Sequence, residues 1–158
     1  GWAANEVDEG TITRREFDTT TRKGDWWFYA REQDLRDAGM PLGQMFDDVG
    51  QAQRYANTVL REEGIAAPCQ IVFARERHGT SGAVWAKDMS RSMIVLDGGH
   101  HSEAFLLHEL AHIIFRAKGR RGASHGAGYS EVYARLLWER MGVGLSFTAS
   151  PLAEVGNS

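Results

Sequence analysis

The chain has 158 residues, 42% of them hydrophobic and 25% charged, which is typical of a single globular domain. Its single cysteine, Cys69, excludes an intramolecular disulfide and with it the class of small disulfide-stabilised scaffolds. The formal net charge of −3 and the lack of a long apolar run give no indication of nucleic-acid or membrane binding.

The two ends of the chain differ in composition from its middle. Residues 1–24 are polar and rich in threonine, which predicts a loosely held N-terminal arm with room for a short strand. Residues 145–158 include Pro151 and Gly156 and predict an irregular tail, which leaves residues 25–144 as the folded domain. The first residues lack the apolar segment of a signal peptide, and we therefore expect a cytoplasmic protein.

The first part of the domain contains an aromatic segment and a helix. The segment DWWFYARE, Asp25–Glu32, predicts an edge strand or a capping turn. The helix is predicted from Phe46 to Glu63, with Asp47 or Asp48 as its N-cap and Gly64 at its end. Its apolar residues recur at helical spacing, at Val49, Ala52, Tyr55, Ala56, Val59 and Leu60.

The second part predicts three strands followed by two helices. The strands are predicted at Gln70–Arg75, Ala83–Lys87 and Ser92–Leu96, and the helices at Ser102–Lys118 and Tyr129–Met141. This order predicts an α+β fold in which a small twisted sheet packs on the helix that begins near Ser102. We expect the strand Ser92–Leu96 at the edge of that sheet, beside a substrate cleft.

The sequence HELAH in the first of these two helices predicts a metal site. His108 and His112 are four residues apart, which places both imidazoles on one face of the helix. The surrounding residues are apolar, so two histidines and a glutamate would be costly to bury unless a metal ion satisfied them. Glu109 follows the first histidine, where its carboxylate lies beside the ion and can act as a general base. We expect one catalytic zinc ion.

A catalytic zinc ion requires a third protein ligand, and the sequence offers two candidates. His125 follows a Gly- and Arg-rich stretch that can bring the chain back to the helix, whereas Glu131 lies on the last helix. Tyr129, Tyr133 and His101 are candidates to donate a hydrogen bond to a developing oxyanion or to line the rim of the site. A second carboxylate would orient a ligand histidine, and the candidates for this are Asp97, Glu103 and Glu131.

HELAH followed by the segment HGAGY, residues 125–129, resembles the SprT-like zincins, whose third ligand is the histidine of an HGxxF segment. The wider layout is similar to a family of small uncharacterised metallohydrolases of actinobacteria and their phages. DWWFYARE, FDDVGQAQRYANTVL and QIVFARE occur in the matching order, and the resemblance covers roughly residues 25–141. Ala127 and Gly128 replace the proline and glutamate of an HGPEF-like motif.

This resemblance implies a zincin-like metallopeptidase domain with the ligands His108, His112 and His125 and with Glu109 as the base. We therefore expect a zinc-dependent hydrolase in which Glu109 activates a zinc-bound water to cleave a peptide bond, and so a protein or peptide substrate as its partner. The alternatives are a hydrolase of a non-peptide amide and a non-catalytic zinc-containing interaction module. Glu109 favours an enzyme, because a purely structural zinc site needs no base and has four protein ligands.

Overall fold

A computed structural model describes residues 12–13, 26–75, 81–122 and 125–144. In chain order the elements are β1 (Ile12–Thr13), α1 (Trp26–Asp37), α2 (Val49–Glu62), β2 (Cys69–Phe73), β3 (Gly82–Ala86), β4 (Ser92–Leu96), α3 (Glu103–Ala117) and α4 (Ala127–Met141). These helices and one mixed sheet confirm the predicted α+β class. Apart from β1, the predicted arm and tail lie outside the described residues.

The strands form one sheet in the order β1–β3–β4–β2. Strand β4 pairs antiparallel with β3 and parallel with β2, so it is an interior strand, and the prediction that Ser92–Leu96 lies at the edge is wrong. All five residues of β4 are buried. A continuous run of buried residues is typical of a strand with neighbours on both sides and with both faces covered.

The segment Asp25–Glu32 was also predicted wrongly, since a helix starts at Trp26 and continues to Asp37. The aromatic residues favour a strand, but the residues that follow them favour a helix and form side-chain pairs across one turn. Arg36 lies 3.2 Å from Glu32, and the amide of Gln33 donates a 2.9 Å hydrogen bond to Asp37. The extension of the helix through these residues outweighs the strand preference of the aromatic run.

Helix α2 has the capping residues that its sequence predicts. Asp48 is the N-cap, and its carboxylate accepts a 2.9 Å hydrogen bond from the backbone N–H of Gln51. At the other end, Gly64 has a φ of 77°, a left-handed conformation that glycine adopts without steric cost. The face of α2 that contains Ala52, Ala56 and Val59 is buried against the sheet and α3.

Helix α3 lies at the centre of the protein, between the sheet and α4. Eleven of its 15 residues are buried, and its apolar side chains join the main core, which also contains residues of α2, α4 and three strands. A smaller apolar cluster of Val84, Met93 and Val95 lies on the other face of the sheet. None of the described helices is both long and apolar enough to cross a membrane. The position of α3 places His108, Glu109 and His112 inside the protein.

Glu63, directly after α2, connects three helices through its carboxylate. Arg135 of α4 donates two hydrogen bonds to it, at 2.6 Å and 2.9 Å, and Lys118 at the end of α3 lies 3.1 Å away. The hydrogen bonds from Arg135, followed by that from Lys118, outweigh the effect of burial and lower the pKa of Glu63 from 4.5 to about 2.

We expect Glu63→Gln to lower the free energy of unfolding by about 1 kcal/mol at neutral pH, because it removes the negative charge that attracts Arg135 and Lys118. The folded pKa lies below the unfolded value of 4.5, so this stabilisation is complete above pH 4.5 and is lost as the pH falls towards 2. Urea denaturation should therefore show a difference between variant and wild type that shrinks in acid.

The matched control is Glu62→Gln, since Glu62 is the neighbouring residue and forms an exposed ion pair with Arg140. Its effect should stay within about 0.5 kcal/mol at neutral pH. A Glu63→Gln difference that remained constant from neutral pH to about pH 3 would contradict the role given to this carboxylate.

Candidate metal centre

Three histidine side chains meet beside helix α3. His108 and His112 extend from successive turns of the helix, and the Nε2 atom of His125 lies 3.1 Å from that of His108 and 3.0 Å from that of His112. All three residues are buried, with His125 completely inaccessible to solvent. Each contributes one nitrogen to a group whose ligand atoms lie within 4.8 Å of one another, which is an arrangement that could hold a metal ion.

The backbone around His125 fixes its place in this group. His125 has a φ of 58°, a left-handed conformation that non-glycine residues rarely adopt and that costs about 1–3 kcal/mol. Gly126 follows as the N-cap of α4, and α4 packs along α3. The left-handed conformation of His125 therefore turns the chain into α4. It places the His125 imidazole where it contacts the imidazoles of His108 and His112.

The protonation state of His112 suits a metal ligand. Burial, followed by the proximity of His125 and His108, holds the pKa of His112 well below its usual range, so its imidazole is neutral. Two nitrogens bound to one tetrahedral zinc at about 2.0–2.1 Å would be separated by about 3.3 Å. The observed separations of 3.0 Å and 3.1 Å are close to this value. The residues present thus fit a zinc ion with three imidazole ligands.

Glu32 of α1 contacts the back of this group. Its Oε2 atom lies 3.0 Å from Nδ1 of His108 and accepts a 2.9 Å hydrogen bond from the hydroxyl of Tyr133. Burial alone would raise the pKa of Glu32, but the charge and hydrogen bond of His108, followed by the charge of Arg36, lower it well below its usual range. An ionised Glu32 accepts a hydrogen bond from Nδ1–H of His108, which places the lone pair of this imidazole on Nε2, the nitrogen that faces His125.

Glu32 was not among the carboxylates predicted for this role, which were Asp97, Glu103 and Glu131. Glu103 accepts hydrogen bonds from the backbone of Gln44 and from the hydroxyl of Tyr55, and Asp97 accepts one from the backbone of Gly99. Glu131 is 72% exposed and lies 3.6 Å from Arg120. Glu131 therefore lies outside the histidine group. In this structure it neither orients a ligand histidine nor serves as the third ligand.

Glu109 lies next to the histidine group and not within it. Its side chain is buried, and its Oε2 atom is 4.0 Å from Nε2 of His108. This distance is longer than a hydrogen bond and places the carboxylate beside the region where the three imidazoles converge. A carboxylate in this position can exchange a proton with a molecule bound at the metal position.

The three candidates for an oxyanion donor have other contacts. The ring of Tyr129 stacks on His112 with centroids 4.0 Å apart, and its hydroxyl donates a 2.8 Å hydrogen bond to the backbone oxygen of His108. The hydroxyl of Tyr133 donates to Glu32. His101 stacks on Phe73, outside the histidine group. In this structure the two tyrosine hydroxyls thus form hydrogen bonds within the walls of the site, and a role as oxyanion donor stays a prediction.

Comparisons with protein-family models, with curated proteins and with solved structures found no match for this chain. The resemblance to SprT-like zincins therefore stays a prediction that depends on HELAH and HGAGY.

Gly128 is one of the two positions, with Ala127, at which the chain replaces the proline and glutamate of the HGPEF-like motif, and its surroundings explain the glycine. A Cβ atom at this position would lie only 2.8 Å from Cε1 of Phe115 and 3.3 Å from the guanidinium of Arg120. Phe115 is buried in the core and cannot move away freely. The close approach of the first turn of α4 to α3, which presents His125, requires glycine here.

We expect Gly128→Ala to lower the free energy of unfolding by about 1–3 kcal/mol, because overpacking against Phe115 exceeds the roughly 1 kcal/mol that alanine gains in a helix. Thermal and urea denaturation would measure this. In a Phe115→Leu background the same substitution should cost less, since the ring is gone. A Gly128→Ala variant more stable than wild type would show that this contact does not restrict α4.

Proposed function

We propose that the protein is a zinc-dependent hydrolase and, more specifically, a metallopeptidase. The observation that carries this proposal is the convergence of three buried imidazole nitrogens with the carboxylate of Glu109 beside them. Histidine nitrogens are preferred zinc ligands, and three of them leave a fourth position of a tetrahedral ion for water or substrate. Glu109 follows the first ligand in sequence, as expected for the base of an HExxH site.

A zinc ion held by the three histidines would polarise both a water molecule and the carbonyl group of a substrate. Glu109 then accepts a proton from that water as its oxygen bonds to the carbonyl carbon. When the carbon–nitrogen bond breaks, Glu109 returns the proton to the leaving nitrogen, which departs as a neutral amine. Glu109 thus ends the cycle ionised, and the products are a carboxylic acid and an amine.

Two features favour an enzyme over a structural zinc module. Within the described parts of the chain, the group that could bind a metal contains three residues, whereas a structural zinc site is closed by four. Glu109 is buried at a desolvation cost, and a module without turnover gains nothing from a carboxylate at this position. The chemistry of the HExxH site also supports the proposed substrate class. We propose a peptide bond as the bond that is cleaved, with another amide bond as the alternative.

We expect Glu109→Gln to lower kcat/KM by roughly 10²–10⁴-fold, because glutamine keeps the shape of the side chain and cannot accept the proton. A screen of mixed peptide substrates with wild type and this variant, each loaded with zinc, would measure the loss. Elemental analysis should find the same zinc content in both proteins, since Glu109 lies outside the ligand group.

The control is Glu131→Gln, an exposed carboxylate on the first turns of α4, which should leave both activity and zinc content at the wild-type level. Equal behaviour of wild type and Glu109→Gln in every assay, with zinc bound, would instead support the non-catalytic module. Hydrolysis of simple amides without hydrolysis of peptides would favour the second substrate class.

A further inference from the structure

The described side chains of helix α1 pack against the rest of the domain in an unusual way, because the one that is buried is a carboxylate. Among its described side chains, those of residues 32–37, only Glu32 is buried, while Leu35 and Arg36 are half-buried. Leu35 packs against the edge of the main core, and the guanidinium of Arg36 lies 4.3 Å from the ring centroid of Phe105 on α3. The most deeply buried contact in this part of the helix is therefore made by a carboxylate rather than by an apolar side chain.

A buried carboxylate is costly unless each of its oxygens has a partner. Arg36 lies 3.2 Å from Oε1 of Glu32, and Oε2 contacts both Nδ1 of His108 and the hydroxyl of Tyr133. An ion pair with Arg36 alone could form on the surface of α1, as most pairs at this spacing do. The contacts to His108 and Tyr133 are what require Glu32 to point into the protein.

We propose that Glu32 is a positioning residue for the metal site, and that through it the docking of α1 and the binding of zinc stabilise each other. This inference rests on the proposed function, since it assigns a role toward the zinc ligand His108. The imidazole of His108 has two nitrogens, and only one orientation and tautomer directs a lone pair from Nε2 toward His112 and His125. Glu32 selects it by accepting a hydrogen bond from Nδ1–H of His108.

The docking of α1 and the binding of zinc are coupled because each equilibrium changes the other by the same factor. When α1 detaches, His108 loses its partner, and the loss of such a partner weakens metal affinity by about 10–100-fold. Bound zinc must then make detachment of α1 rarer by the same factor. Helix α1 thereby becomes an element whose displacement by a partner would release the metal.

The first test measures zinc affinity by competition with a chromophoric chelator in wild type, Glu32→Gln and Glu103→Gln. Glu32→Gln should raise the zinc Kd by about 10–100-fold. Glu103→Gln is the matched control, because Glu103 also accepts a tyrosine hydroxyl but contacts Tyr55 on α2 and no histidine of the group. Its Kd should equal that of wild type within the error of the titration.

Two readouts separate positioning from a general loss of structure. In ¹⁵N NMR of the zinc-free wild type, His108 should carry its proton on Nδ1, and this preference should weaken in Glu32→Gln. Zinc should slow amide hydrogen exchange of residues 26–37 by about 10–100-fold in wild type and by much less in the variant. An equal effect of zinc on α1 in both proteins would overturn the coupling.

The outcomes distinguish this inference from the function on which it rests. A wild type that binds no zinc refutes the proposed metal site. A wild type that binds zinc with the same Kd as Glu32→Gln refutes only the role of Glu32. If Glu32→Gln does not fold, Tyr133→Phe replaces it, because that variant keeps Glu32 and removes one hydrogen bond that orients its carboxylate. Tyr133→Phe should then raise the Kd several-fold, and an unchanged Kd would overturn the proposal.

Discussion

The cost of burying polar groups on helix α3 is the constraint on which the rest of this structure depends. His108, Glu109 and His112 lie within a helix that is buried along most of its length, and His125 is completely inaccessible to solvent. Neutral imidazoles can be buried only when their nitrogens have partners. Glu32 supplies a partner for Nδ1 of His108. One nitrogen of each of the three histidines lies close to the other two, in an arrangement that could hold a metal ion.

Each neighbouring element contributes to this arrangement in a different way. The left-handed His125 lies just before helix α4. On α4, the ring of Tyr129 stacks on His112, and its hydroxyl donates a hydrogen bond to the backbone oxygen of His108. Helix α1 contributes Glu32, which reaches the opposite side of His108. The apolar face of the sheet covers the remainder of α3. The site is therefore built by the consecutive helices α3 and α4 together with α1, which is distant in sequence, and the sheet supports it without supplying a ligand from the described residues.

The sequence predicted the parts of this site that depend on local spacing. Histidines four residues apart share a helix face whatever the tertiary structure, and the glycine-rich segment before His125 indicated a chain that returns to α3. Glu32 could not be predicted in the same way, because its contact to His108 joins residues 76 positions apart and its helix begins with aromatic residues that favour a strand. The spacing of Glu32 and Arg36, and that of Gln33 and Asp37, were the local signals for a helix there. The interior position of β4 likewise depends on pairing with both β2 and β3, which periodicity cannot reveal.

The measurement that tests this account most directly is the zinc content and coordination of the protein purified without chelator, by elemental analysis and X-ray absorption spectroscopy. We expect about one zinc per chain in wild type, with three imidazole nitrogens in its coordination shell. His125→Ala should lose this zinc, whereas Glu131→Ala should retain it, since Glu131 is exposed and outside the histidine group. Zinc retained in His125→Ala and lost in Glu131→Ala, or no zinc in any of the three proteins, would contradict the three-histidine centre.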